Sequence, residues 1–464
     1  MFDGVARAAR GLTGREEVIR LGVTGLSGAG KTVFITSLVA NLLDRGHMPA
    51  LRAEAEGRIR AVYLQPQPDD TLPRFDYEAH LAALSAPDPH WPESTRAISE
   101  LRLSFRLAAG GIVAGLLGGS AGERVLHLDI VDYPGEWLLD LGLLDLSYED
   151  WSRQTLERLA KRDEGADYLA RAASVDPGAR LDEGQATGLA AAFTGYLAAA
   201  RKAGFSDLTP GRFLLPGDLA GSPALTFAPL PETATPAGRG SLGREFARRY
   251  DAYREKVVKP FFRDHFLRID RQIVLVDVLG ALASGPRAVA DMRDTMAGIL
   301  AAFRPGRTSW LGLLFGQRRI GRILFAATKA DHLHHDQHRK VAAIVAAIMR
   351  AAKDRADFAG AETAAMALAS VRATVEDRVT HDGHPLDAVK GRLDGRGWAA
   401  FHAGDLPDHP GSILDPARAS DAAWLDAGYA QIRVLPPPGL VRPGHGLPNI
   451  RLDRAVDFLI GDRL

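Results

Sequence analysis

The stretch Gly25-Leu26-Ser27-Gly28-Ala29-Gly30-Lys31-Thr32 fits G-x-x-x-x-G-K-[ST] at every constrained position. Before it, Glu17-Val18-Ile19-Arg20-Leu21-Gly22-Val23-Thr24 reads as a strand, and after it Val33 to Leu43 reads as a helix. The glycines therefore fall in a strand-to-helix turn, the context that gives this motif its meaning. Backbone N–H groups from Ser27, Gly28, Ala29, Gly30, Lys31, Thr32 and Val33 can there point inward around a polyphosphate. Lys31 adds a point charge between the β- and γ-phosphates, and the Thr32 hydroxyl can reach Mg²⁺. An ordinary glycine turn would leave the flanking strand and helix unexplained. The motif predicts a nucleoside triphosphate site.

Outward from that turn, Arg58 to Leu64 reads as extended until Pro66, Pro68 and Pro73 interrupt it, and a short helix is expected over Tyr77 to Leu84. Glu100 to Leu107 alternates apolar and polar residues, as a half-exposed strand does, and Val125 to Val131 is more continuously apolar, as in a sheet centre. A Gly-rich, non-helical connection between them implies an antiparallel pair. From Leu138 to Phe266 the composition turns Ala-, Arg- and Leu-rich, with helices expected at Ser152 to Lys161, Ala166 to Ala173, Gln185 to Gly204 and Leu242 to Phe266. Strand patterns return at Gln272 to Leu279, Ile323 to Ala327 and Ala364 to Ala369, separated by helices at Pro286 to Phe303 and His338 to Ala352. Alternating strands and helices predict an α/β fold, a mainly parallel sheet with flanking helices, carrying a large helical insertion. The expected division is a nucleotide-binding domain over 16–137 and 268–464 and a mainly helical insertion over 138–267. Residues 378 to 448 are rich in Gly, Pro, His and Asp, with short strand-like pieces such as Gln431 to Leu435, and a helix over Leu452 to Ile460 closes the chain.

Two further motifs sit at strand ends. Asp132-Tyr133-Pro134-Gly135 is D-x-x-G, in which the Asp holds Mg²⁺, usually through a water, and the Gly N–H senses a γ-phosphate. Glu136 follows where many G proteins place the Gln that orients the attacking water, and Asp129 reads as a structural carboxylate. Thr328-Lys329-Ala330-Asp331 follows Ile323 to Ala327 as [NT]-K-x-D. The Asp331 carboxylate can accept both N1–H and N2–H₂ of guanine but would face acceptors on adenine, which gives discrimination through the cost of unpaired groups. The Lys329 stem can lie along the base, and Thr328 stands where Asn is commoner, without the amide that would tether the phosphate loop. Ser370-Val371-Arg372-Ala373, after the next strand, is either a Ser-Ala-like loop in which Ser370 and Val371 donate N–H to guanine O6 or a coincidental turn. Thr95, shortly before the alternating strand, stands where a residue completing Mg²⁺ coordination is expected, the alternative being that Ser94 or Thr95 caps a short helix; Arg96 is either a solvated arginine or the one arginine placed to assist in cis. The catalytic candidates are thus Lys31, Thr95, Asp132, Gly135 and Glu136, and the metal candidates Thr32, Thr95 and Asp132.

The chain has 464 residues, with 57 Lys plus Arg balanced by 57 Asp plus Glu, so no net field favours nucleic acid or an anionic membrane. The absence of cysteine removes disulfides, thiolate metal sites and thiol catalysis and agrees with a cytoplasmic setting. The most apolar run, Leu107 to Gly119, is shorter than a membrane span and broken by glycines, so no transmembrane segment is expected. The N-terminus lacks a signal-peptide core, since Arg7, Arg10 and Arg15 interrupt its apolar residues.

With these motifs the chain resembles the YcjX-like P-loop proteins of bacteria. The likeness rests on Gly25 to Phe34, Leu64-Gln65-Pro66-Gln67-Pro68-Asp69-Asp70, Asp132 to Trp137, Ala327-Thr328-Lys329-Ala330-Asp331-His332 and Arg451-Leu452-Asp453-Arg454-Ala455, across nearly the whole chain. The resemblance implies a Ras-like core that takes GTP or GDP with Mg²⁺, a GTPase role in bacterial stress response, and a link to membrane-stress functions through a separate membrane protein; the expected setting is cytoplasmic or peripheral to the inner membrane. A protein partner would use the helical insertion. Two other functions fit the residues: a P-loop ATPase, since the phosphate loop is blind to the base, and a nucleotide-stabilised scaffold with little turnover.

Overall fold

The computed structural model describes residues 16–25, 28–93, 97–108, 123–232, 238–301, 320–350, 361–414, 429–430 and 432–464. Leu26, Ser27, Ser94, Thr95, Arg96, the N-terminal stretch and the Gly-rich connection 109–122 lie outside the described residues.

Ile19, Leu21 and Val23 are buried because the strand that carries them, β1 (Glu16–Gly25), lies inside a sheet. The other strands of that sheet are β2 (Ile59–Gln65), β3 (Ser99–Leu107), β4 (Arg124–Asp132), β5 (Arg271–Val276), β6 (Arg322–Ala327) and β7 (Glu362–Ala367), in the order β2-β3-β4-β1-β5-β6-β7. From β4 to β7 all neighbours are parallel, and β2 and β3 add antiparallel pairs. Parallel order places the carboxyl ends of β1, β4, β5 and β6 at one edge, where ligands bind in open α/β sheets. The antiparallel β3–β4 pair carries its polar residues in partnership: Arg102 grips the buried Asp129 through two bonds of 2.5 and 2.8 Å, and Ser104 Oγ lies 2.8 Å from His127 Nδ1. Breaking such a buried ion pair by removing one partner costs about 3–5 kcal/mol.

The chain divides into two compact units: 1–133 with 269–283 and 318–464, and 134–268 with 284–317. The first holds the sheet. It also holds a small antiparallel sheet of β8 (Thr374–His381), β9 (His384–Leu393), β10 (Gly397–Phe401) and β11 (Val434–Leu435), with β8 and β10 on opposite sides of β9. The closing helix Leu452–Ile460 lies where the sequence predicts it.

The second unit contains helices Tyr148–Leu159, Ala166–Ala173, Glu183–Lys202, Leu242–Tyr253, Lys259–Asp264 and Pro286–Ala301. Its centre is aromatic: Trp151 stacks on Tyr250 at 5.1 Å and meets Phe227 and Phe193 edge-on. The single helix expected over Leu242 to Phe266 is interrupted by a π-helical turn at Arg254–Val258, just before Pro260, which has no N–H for a regular ladder bond. A second correction concerns Gln272 to Leu279. The strand ends at Val276, and Val278–Ser284 is helical, so Asp277 stands alone at the sheet edge.

Candidate functional site

The phosphate loop joins β1 to the helix Lys31–Asp44. Gly28 and Gly30 have φ of +80° and +81°, in the left-handed region that costs an L-residue roughly 1–2 kcal/mol. Gly30 forms the helix N-cap, a position where it offers no side chain of its own to the first helical N–H groups. A Cβ on Gly30 would meet nothing within 4 Å, whereas one on Gly25 would stand 2.7 Å from Leu275 O and 2.9 Å from Leu275 Cβ. Gly25 therefore serves packing against β5, and Gly30 serves an open cradle. Lys31 Nζ donates to Gly25 O at 2.9 Å, which spans the loop and uses one of three ammonium protons. Ala29 and Thr32 are buried, and Val33 packs at the edge of the core. A left-handed glycine turn at a helix N-terminus, with a lysine across it, fits a polyphosphate.

Asp132, 1% exposed, ends β4 in register with Val23 of β1. Two hard oxygen groups, the Thr32 hydroxyl and the Asp132 carboxylate, are thus carried by adjacent elements at the sheet's carboxyl edge, a donor chemistry suited to Mg²⁺. Tyr133 donates to Gln272 Oε1 at 2.7 Å, and burial raises its hydroxyl well above the ordinary tyrosine range. The boundary between the two compact units follows Tyr133, so D-x-x-G straddles it. Gly135 and Glu136 open the five-residue helix Gly135–Leu139 of the second unit. Glu136 is 2% exposed, and its Oε2 has no hydrogen-bond partner among the described residues. Within that unit a Cβ on Gly211 would fall 3.0 Å from Glu136 Cβ, so the two segments are in close contact.

On the other side of β1, Thr328 donates through N (3.0 Å) and Oγ1 (3.3 Å) to Val276 O, and Lys329 turns the chain with φ +60°. Lys329 Nζ pairs with Asp277. Asp331, 5% exposed, sits in the turn Ala330–His332, its Oδ2 accepting from Ala373 N at 3.0 Å and its carbonyl from Thr374 Oγ1. Ala330 N bonds Leu368 O at 3.1 Å, and the His338 Nε2 lies 2.8 Å from Ala330 O. Burial lowers the affinity of both His332 and His338 for a proton. In the loop 370–373 the Arg372 amide is committed to Pro448 O and the Ala373 amide to Asp331, while Ser37 Oγ, from the phosphate-loop helix, donates to Ser370 O. Val371 is buried below. The loop thus connects the helix of the phosphate loop to the carboxylate of Asp331. Asp277 belongs to no motif, and Ala373 closes the stretch Ser370-Val371-Arg372-Ala373, where its amide serves Asp331. The sequence signal for Asp277 is its position directly after the apolar strand Ile273-Val274-Leu275-Val276.

A mainly parallel sheet with flanking helices, a G-x-x-x-x-G-K-T turn after β1, an Asp at the end of β4 and T-K-x-D after β6 define a P-loop NTPase fold of Ras-like arrangement. More narrowly, the chain belongs to the YcjX-like family, DUF463, whose model matches residues 19–464. It is 39% identical over 463 residues to the "Ras-like GTPase YcjX" of Escherichia coli (strain K12), covering 97% of each chain. It is 36% identical over 472 residues to the protein of the same name from Shewanella oneidensis (strain MR-1), covering 96% of this chain and 94% of that one.

Proposed function

We propose that this protein binds guanine nucleotide with Mg²⁺ and hydrolyses GTP slowly, acting as a nucleotide-dependent switch in bacterial stress response. The observation that carries the guanine assignment is Asp331: buried, directly after β6, and oriented by Ala373 N. A fixed carboxylate complements the N1–H and N2–H₂ edge of guanine and opposes that of adenine. The names of the relatives from Escherichia coli and Shewanella oneidensis support the same choice.

In this assignment the amides of Ser27 to Val33 and the Lys31 ammonium hold the β- and γ-phosphates, and Lys329 lies along the base. Ser370 and Val371 offer their N–H groups to O6. Thr32, Asp132 and Thr95 would hold Mg²⁺, which neutralises charge on the phosphate oxygens when bound. Gly135 senses the γ-phosphate, and the chain that continues from it opens the second unit, which gives hydrolysis a route to a partner surface there. The stress role and a membrane-linked partner rest on the family resemblance alone. Among the described residues no helix is long and apolar enough to cross a membrane.

The deciding experiment is identification of the nucleotide released when the purified protein is gently denatured, followed by competition of GTP against ATP. Guanine nucleotide in the supernatant and preferential displacement by GTP are expected. Equal affinity for ATP and GTP would overturn the assignment, and tight binding without turnover would favour the scaffold.

A further inference from the structure

Asp277 is the first residue past β5, and β5 lies between β1 and β6 in parallel register. It therefore stands between the phosphate loop, which follows β1, and the T-K-A-D turn, which follows β6. Its side chain is largely buried, with 15% exposure, and both oxygens are engaged. Oδ1 accepts from Gly280 N at 2.9 Å, which fixes the carboxylate to the helix Val278–Ser284, and Oδ2 pairs with Lys329 Nζ. The same Oδ2 lies 4.0 Å from the position a Cβ would take on Gly28. One carboxylate thus pairs with the T-K-A-D turn and stands beside the phosphate loop.

Thr328 has no side-chain amide with which to tether the phosphate loop, and its hydroxyl is directed to Val276 O. Lys329 itself holds φ +60°, a backbone conformation that needs support from its surroundings. A carboxylate beside a phosphate-binding loop would repel the ligand unless a cation neutralises it. These three facts have a single resolution. On the guanine reading above, we infer that Asp277 is a positioning residue for nucleotide binding: paired with Lys329, it holds the lysine stem in its base-facing turn beside the phosphate loop. Lys329 in return cancels a negative charge that would oppose the phosphates.

The pairing makes an asymmetric prediction. Removing the lysine alone strands a buried carboxylate near the phosphate loop, whereas removing both charges does not. Equilibrium binding of a fluorescent GDP analogue is measured for the natural protein, Lys329→Met, Asp277→Asn, the double variant and Asp277→Glu, with thermal melts confirming that each is folded. Each single neutral substitution is expected to weaken binding on the order of tenfold or more. Asp277→Asn placed in the Lys329→Met background should restore part of the lost affinity, and Asp277→Glu should retain most of it. A merely structural aspartate would give additive losses and no restoration. If the natural protein binds no GDP, the guanine reading fails and this inference with it. If it binds GDP while Asp277→Asn binds equally well, or the two losses simply add, only the role of Asp277 is overturned. A variant that does not fold leaves Asp277→Glu and Lys329→Met to decide: loss of affinity in the first with none in the second overturns the pairing, and the reverse supports it.

Discussion

The Ala373 amide donates to Asp331 Oδ2 at 3.0 Å, so the carboxylate proposed to read the base has one defined orientation. This bond also decides how an amide would sit in its place. In Asp331→Asn the side-chain oxygen would stay on Ala373 N–H, because an NH₂ group facing that donor would leave both unpaired. The new NH₂ would then occupy the other position, where it repels guanine N2–H₂ and complements the C2 carbonyl of xanthine. Asp331→Asn should weaken GTP on the order of a hundredfold or more and prefer xanthosine triphosphate. Competition between the two nucleotides for the purified variant checks this; unchanged GTP affinity would remove Asp331 from the base site.

The glycines of the phosphate loop should separate into two kinds. A Cβ on Gly25 must displace Leu275, whereas one on Gly30 has open space but a φ of +81°. Gly25→Ala is expected to lower the melting temperature clearly, as overpacking by about 1–3 kcal/mol does. Gly30→Ala is expected to cost about 1–2 kcal/mol of backbone strain and to abolish nucleotide binding, because its methyl enters the cradle. Melting and nucleotide-binding measurements on both variants check the contrast; retained affinity in Gly30→Ala would mean the phosphates lie elsewhere.

The parts of the site that can be read from sequence are those whose chemistry is local. Lys31 and Thr32 follow from glycine spacing between a strand and a helix, and Asp331 from its distance beyond β6. Asp277 cannot be read in this way, and although Ala373 falls in the stretch Ser370-Val371-Arg372-Ala373 its task there cannot, because each acts through a partner brought close only by the parallel sheet: Lys329, 52 residues on, for the first and Asp331, 42 residues back, for the second. The small sheet was hidden for another reason. β8 has mostly exposed or half-exposed residues, so Thr374 to His381 lacks an apolar alternation that would mark a strand. Its hairpin did leave a sign in Asp382-Gly383, whose φ values of 48° and 81° are those of a tight two-residue turn. Helix Pro286–Ala301 shows a third limit. It lies in the crossover from β5 to β6, where a sheet-covering helix is expected, yet it clusters with the second unit through contacts such as Arg162 with Asp291.

Asp140 gives the second unit a pH dependence of defined sign. Burial pushes its carboxyl up to about 6 from an ordinary 3.8, against the opposing pull of the Tyr253 hydroxyl and the Gly211 N–H, which lies 2.7 Å from Oδ1. The folded chain therefore holds this proton more tightly than the unfolded one. Its contribution to stability is fully present below the ordinary value and is lost as pH rises through about 6. Asp140→Asn cannot ionise and should lack this loss. The melting temperature of the variant relative to the natural protein should rise across that window and level off above it, read from tryptophan fluorescence, since Trp151 is buried in the same unit. A difference that is flat with pH would show that Asp140 is ionised in the folded chain throughout.

Glu136 sets the expectation for rate. Its side chain is buried with Oε2 unpartnered among the described residues, and nothing there marks it as a group that orients water. Hydrolysis without a positioned Gln or an arginine finger proceeds at about 10⁻⁴ to 10⁻³ s⁻¹, and a finger in cis raises this to the order of 10⁻² s⁻¹. Turnover of the purified protein should lie near the slow limit and rise only with a partner that supplies an arginine or through self-association. Glu136→Gln replaces a buried carboxyl group, one oxygen of which has no hydrogen-bond partner among the described residues, and should change the stability of the fold by about 1 kcal/mol or less. Single-turnover hydrolysis of GTP by the natural protein, Glu136→Gln and Arg96→Ala separates the contributions. Slow rates in all three fit an activator-dependent switch. Acceleration in Glu136→Gln to the order of 10⁻² s⁻¹ would show that this position faces the attacking water after all, and a fast natural rate lost in Arg96→Ala would place the finger within the chain.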